Sequence, residues 1–160
     1  MILSTHAVVG GALATQLPSH PVAAFAVGFA SHFAIDAIPH WDYPLRSISV
    51  APGARNQVRL TPTLARDIAL IGLDAIVGLV LAIGIFATPS TIVAILAGAV
   101  GAMLPDPLQF VHTIYPHEPL ASLQRFHRWA HTKRQLRWPV GISSQVAFVA
   151  AVVGTIFAIV

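Results

Sequence analysis

Charge is scarce in this chain. Only 9% of its 160 residues are Asp, Glu, Lys or Arg, against 56% apolar, whereas a typical globular domain carries roughly 25% charged residues. So few charges cannot cover a water-exposed surface, which argues against a soluble fold; side chains turned toward lipid need none. Cysteine is absent altogether. That removes disulfides and thiolate metal sites together, leaving imidazole, carboxylate, backbone carbonyl and water as possible metal ligands. A basic stretch ahead of the first apolar run is also missing, and His6 falls within that run, so the N-terminal segment is not read as a cleavable signal.

What the chain has instead is long apolar runs. A helix needs about 20 apolar residues to cross a bilayer. Residues 68–87 and 92–111 meet that length, separated by Thr88, Pro89 and Ser90, and 140–160 is a third such run. Residues 2–17 and 22–38 are shorter and flank the turn Pro18-Ser19-His20-Pro21; short runs can still cross where the bilayer thins, or the two can form a re-entrant hairpin. The expected fold is all-α: one membrane-embedded domain over 1–160, a polytopic bundle of about five transmembrane helices with a cytoplasmic interfacial helix.

All nine Lys and Arg lie in two segments. Arg46, Arg55, Arg59 and Arg66 occupy 43–66, and Arg125, Arg128, Lys133, Arg134 and Arg137 occupy 112–139. Five alternating spans bring both segments and the N-terminus to one side, and the positive-inside rule makes that side cytoplasmic. The expected location is therefore the inner (plasma) membrane, multi-pass. Anionic headgroups also attract such loops, which accounts for some of these arginines.

Eight His and six acidic residues are many for so apolar a sequence. On the five-span map twelve of these fourteen converge on the cytoplasmic side; His20 falls opposite, and Asp74 lies about 10 Å into the third span at ~1.5 Å rise per residue. Ionisable groups at such depths are costly and usually serve a purpose. His32 and Asp36 are four apart, so a helix sets them on one face where they can grip one ion. Pro39 should end that helix near Ile38, freeing His40 and Asp42 to fold back over its end, with Trp41 and Tyr43 at headgroup level. His127 and His131 repeat the four-residue spacing with which two imidazoles bind one metal from a helix. No Glu follows the first His, so this is not the zincin motif. Asp106, bracketed by Pro105 and Pro107, is expected on a non-helical backbone at the end of a span whose Gly98 and Gly101 favour close helix packing. Each pattern also has a plainer reading: an interfacial aromatic cap for 31–42, an amphipathic interfacial helix for 126–138, and a turn residue for Asp106.

Thr5-His6, Leu104-Pro105-Asp106 and His127-Arg128-Trp129-Ala130-His131 together resemble the bacterial inner-membrane metal-dependent hydrolases. The His32/Asp36 pair is also similar to one used by zinc-dependent phospholipase C and P1-type nucleases. The chain departs from the first family where Pro107-Leu108 replaces the end of a Pro-Asp-x-Asp element, and where Trp129 stands in place of a glycine. The resemblance implies a metal-dependent hydrolase. For such an enzyme the residues' own chemistry makes His6, His32, Asp36, Asp106, His127 and His131 the candidate ligands, His40 or Asp42 the base that orients water, and Arg128 and Lys133 the grip on a phosphate.

Imidazole and carboxylate without thiolate suit Zn, and also Mn or Fe, and such an ion makes hydroxide available near neutral pH. A basic rim at the membrane–water boundary suits an anionic head on an apolar tail. The expected substrate is a phosphoester of a lipid or amphiphile, with membrane lipid as the partner and no nucleic acid. A different class is a non-enzymatic membrane protein that binds or transports a metal ion or proton, with Asp74 and His20 marking its path. A third is a structural or assembly subunit.

Overall fold

The computed structural model describes residues 1–49, 57–58 and 61–159. Arg55, Arg59 and Val160, which enter the loop and span assignments above, lie outside the described residues. Among the described residues there are seven helices: α1 (Leu3–Ala14), α2 (Pro21–Asp36), α3 (Pro62–Phe86), α4 (Ile92–Met103), α5 (Pro105–Ile114), α6 (Leu120–Ala130) and α7 (Trp138–Ile159). One short antiparallel pair, β1 (Ile48–Ser49) and β2 (Gln57–Val58), lies between α2 and α3.

Proline sets several of the boundaries. Pro21, Pro62 and Pro105 stand in the first turns of α2, α3 and α5, where the missing N–H costs nothing and the fixed φ suits a helix start. Pro105 has a second effect. It cannot donate to the carbonyl four residues back, and the run expected as one straight span over 92–111 divides there into α4 and α5, bent by 44°. Asp106 is accordingly in the first turn of α5, not on a non-helical backbone; a proline at the first helical position starts a helix as readily as it ends one.

Two helices, α3 and α7, are long and apolar enough to cross a membrane, and the bent α4–α5 pair makes a third if it is one span. Five spans were expected. The helices over 2–17 and 22–38 form, but with 12 and 16 residues they extend only about 18 and 24 Å at ~1.5 Å per residue, short of the ~30 Å hydrocarbon core. Leu17, Pro18 and Ser19 are spent on the turn between them.

The position of α1 explains its composition. A helix that is apolar all round is one that is buried all round, and ten of the twelve residues of α1 are buried, enclosed by α2, α3, α4 and α7. Small residues make that enclosure possible. A Cβ on Gly28 would come within 2.1 Å of the Gly98 carbonyl oxygen, and one on Gly10 within 2.3 Å of the same atom, so α1, α2 and α4 cross at glycines. By contrast α3 and α7 turn large apolar side chains outward, among them Leu73, Val80, Val146 and Phe157. The bundle therefore has a tight inner trio and a greasy outer pair. Because α1 runs away from its N-terminus while α2 and α4 run toward their C-termini, His6, Asp36 and the α4–α5 bend come to one end.

Candidate metal centre

Asp36, the last residue of α2, is the hub of that end. Its side chain is buried, and five imidazoles approach it. His32 Nε2, one turn earlier on the same helix, lies 3.2 Å from Oδ2. His127 Nε2 from α6 lies 3.4 Å from Oδ2, and His6 Nε2 from α1 lies 3.2 Å from Oδ1. His40, past the end of α2, and His131, at the end of α6, place their Nε2 atoms 3.9 Å from Oδ1 and 3.8 Å from Oδ2. Asp106 completes one side, with Oδ1 3.6 Å from His32 Nε2 and 3.9 Å from His127 Nε2. Asp42 completes the other, 3.0 Å from His40 Nε2 and 3.7 Å from His131 Nε2. The Met1 amino group joins on that side, 2.5 Å from Asp36 Oδ1 and 2.9 Å from His40 Nε2.

These side chains are held by backbone contacts that spacing alone does not reveal. The segment following α6 is stitched to the end of α2: Thr132 N–H donates to the Asp36 carbonyl and Leu136 N–H to the His40 carbonyl, each at 2.8 Å. Gln124 on α6 donates to Gln109 on α5 at 2.6 Å. These bonds carry His127 and His131, some ninety residues downstream, onto Asp36.

The ring orientations decide what the cluster can do. The Nδ1 atoms of His32, His40 and His131 lie 2.8, 2.7 and 2.9 Å from the backbone carbonyls of Ala102, Ile38 and Thr132. A carbonyl only accepts, so each Nδ1 carries the proton, and in the neutral ring Nε2 presents a lone pair to the centre. Outer carbonyls that fix imidazoles this way are the usual support of histidine metal ligands. The Nε2 atoms of His32 and His127 are 3.4 Å apart, with carboxylate oxygens beside both. Lone pairs and negative oxygens converging in a buried volume repel one another unless a positive charge sits among them. His6 makes the same point: it is wholly buried, its ring stacks on that of His32 at 4.0 Å, and neither of its nitrogens makes a hydrogen bond. Its 3.2 Å approach to Asp36 Oδ1 is close enough for one, but poorly directed.

Among the described residues two groups have the spacing to hold a metal ion: His32, Asp36, Asp106 and His127, and then Asp36, His40 and His131. The donor set, nitrogen and oxygen only, fits a divalent ion of borderline hardness. Seven of the side chains assigned as ligands or base from the sequence thus meet in these groups or touch them directly, and His6 adjoins Asp36 without entering either group. Arg128 and Lys133 are exposed and form no ion pair among the described residues. His20 is exposed at the far end of α2.

Asp42 is 27% exposed while His40 is fully buried, so of the two candidate bases Asp42 alone meets solvent.

Several residues that support the site gave no signal as such. Tyr43 hydroxyl donates to Asp74 and accepts the Leu3 N–H at 2.8 Å, while Asp74 also accepts the Ser4 N–H at 2.9 Å. Burial, and then the bond to Asp74, push the Tyr43 phenol up from its ordinary value, so it stays a proton donor. Gln145 on α7 accepts the Ile2 N–H at 3.1 Å and the Thr5 hydroxyl at 3.3 Å, and donates to the Trp41 carbonyl at 2.9 Å. These three side chains satisfy the unpaired N–H groups at the start of α1 and so fix His6 below Asp36. Asp74 was expected to need a partner, whether a His or metal of the site or, equally, a hydrogen bond to Ser, Thr or backbone; the half-buried carboxylate has the Ser4 N–H and the Tyr43 hydroxyl. Only knowledge of which helix α1 abuts could have revealed this pairing.

No family model, no curated protein and no solved structure matches the chain.

Proposed function

We propose that the protein is a membrane-embedded metal-dependent hydrolase acting on the phosphoester of a lipid or other amphiphile. The observation that carries this reading is the convergence of the His32 and His127 Nε2 atoms with the Asp36 and Asp106 carboxylates, the His32 ring being turned by the Ala102 carbonyl. That donor set suits zinc, with manganese or iron as the other candidates. A divalent ion held there supplies Lewis acidity toward water and toward a phosphoryl oxygen. His32, Asp36, Asp106 and His127 would hold it. Asp42, ionised and open to solvent, orients the attacking water and accepts its proton. Arg128, one residue beyond His127, and Lys133 bind the phosphate, the guanidinium with two parallel hydrogen bonds. The exposed Phe126 and Trp129 of α6 suit the apolar tail of the substrate and the headgroup layer.

The orientation follows from charge. The described Lys and Arg fall on the end of the bundle that holds the site, which the positive-inside rule assigns to the cytoplasm. In this reading α3, α4–α5 and α7 cross the inner membrane, while α1 and α2 complete the bundle as short crossings over a thinned bilayer. The resemblance of Thr5-His6, Leu104-Pro105-Asp106 and His127 to His131 to bacterial inner-membrane metal-dependent hydrolases supports the same class.

The test is release of phosphate or headgroup from a panel of phospholipids and isoprenoid phosphates by the purified protein. Activity should vanish with a chelator, return with zinc or manganese, and be lost in Asp36→Asn. Metal-bound protein that turns over no member of the panel would overturn the hydrolase assignment.

A further inference from the structure

The group used above leaves a second set of donors unassigned. His40 and His131 lie on the other side of Asp36, and with it they form the second group spaced to hold an ion. The same tautomer argument applies to both. His40 Nδ1 is committed to the Ile38 carbonyl and His131 Nδ1 to the Thr132 carbonyl, so each neutral ring turns an Nε2 lone pair inward. Those lone pairs face Asp42 at 3.0 and 3.7 Å and Asp36 at 3.9 and 3.8 Å. The Met1 nitrogen lies against the same atoms, contacting Asp36, His40 and Asp42, so an ion bound here takes the place of that amino group. Beside it is His6, buried, 3.2 Å from the same Oδ1 of Asp36, and with neither ring nitrogen hydrogen-bonded.

We propose that the centre takes two divalent cations, one held by His32, Asp106 and His127 and the other by His40 and His131, with Asp36 shared between them. The inference rests on the metal-site reading above and deepens it. It makes His40 a ligand and leaves the base role to Asp42. Two cations flanking one carboxylate suit a substrate whose anionic oxygens must be neutralised on both the attacking and the leaving side, as in phosphoester hydrolysis. The sharing also explains why Asp36, among all the acidic residues of the chain, is the one enclosed by imidazoles. Nothing about the pair depends on α6 alone: His40 and His131 meet because Leu136 N–H bonds the His40 carbonyl.

The experiment is zinc stoichiometry of the full chain purified in detergent, by elemental analysis after gel filtration and by titration of metal-free protein with zinc alone. Wild type is expected to bind two zinc ions, the His40→Ala, His131→Ala double variant one, and Asp36→Asn none. One ion in both wild type and double variant would overturn the second position and leave the hydrolase reading standing. No ion in wild type would overturn both. Two ions retained by the double variant would place the second ion elsewhere and overturn the proposal. Because a double substitution can unfold a bundle, the single variant His131→Ala, at a partly exposed position, provides the second measurement. It should bind its first zinc as wild type does and its second at least ~10-fold more weakly, the scale on which even outer-sphere changes alter metal affinity; equal loss at both steps would count against two separable positions.

Discussion

Asp36 and Asp74 are both carboxylates set within an apolar bundle, and they have opposite surroundings. Asp74 on α3 is met by groups that bring hydrogens: the Ser4 N–H and the Tyr43 hydroxyl. Asp36 on α2 receives the Met1 amino group on Oδ1, but its Oδ2 is met only by imidazole Nε2 atoms, those of His32, His127 and His131. Asp67 is of the first kind, accepting the Arg46 and Ser47 N–H groups at 2.8 and 2.7 Å. A carboxylate satisfied by N–H and O–H has its acceptors filled, and it holds the start of α1, for Asp74, or the backbone at Arg46 and Ser47, for Asp67. A buried carboxylate with one oxygen facing only imidazoles has a place left for a cation. The same residue type therefore reads as scaffold or as site according to whether its neighbours donate or accept.

Three substitutions test that distinction, in falling order of effect. Asp36→Asn should abolish metal binding outright, because an amide offers one neutral oxygen where two charged ones are shared; elemental analysis that found undiminished metal would erase the contrast with Asp74. Asp74→Ala should leave metal stoichiometry intact and lower stability, since it strips an acceptor from the Ser4 N–H and the Tyr43 hydroxyl. Leaving buried donors unsatisfied costs about 1–3 kcal/mol, visible as an earlier thermal unfolding transition in detergent. Loss of metal at unchanged stability would instead put Asp74 in the centre. His20→Ala, at an exposed position on the far end of the bundle, should alter neither quantity, with a stability change within ~0.5 kcal/mol. A fall in metal content there would mean that ligands lie at both ends, the arrangement a transport path requires.

Much of the centre was legible. The i, i+4 pair His32/Asp36, the proline that stops α2 before His40, and the His127/His131 spacing are local patterns with one geometric consequence each. Asp106 was found for a reason that proved wrong in detail, since Pro105 opens α5 where a break in regular structure was expected. Helix number and span number diverged for a related reason. Apolar content marks a segment as buried in something, and cannot distinguish lipid from protein. Residues 3–14 are enclosed by four other helices, yet their composition matches that of a span. A backbone bond was one of the partners open to Asp74, but which N–H groups the Tyr43–Asp74–Gln145 clamp takes could not be read, because every residue but proline carries one.

By itself the sequence determined that the chain is helical and lipid-compatible, that any metal must be held by nitrogen and oxygen, and which local pairs of His and Asp share a helix face. Tertiary structure alone decided that those pairs surround Asp36, that the outer nitrogens of three rings are tied to carbonyls, and that Asp74 belongs to the scaffold. The reason is range. Helix periodicity and proline act over a few residues and are written in order along the chain, while the meeting of α2 with α6 depends on glycine crossings and backbone bonds between segments some ninety residues apart.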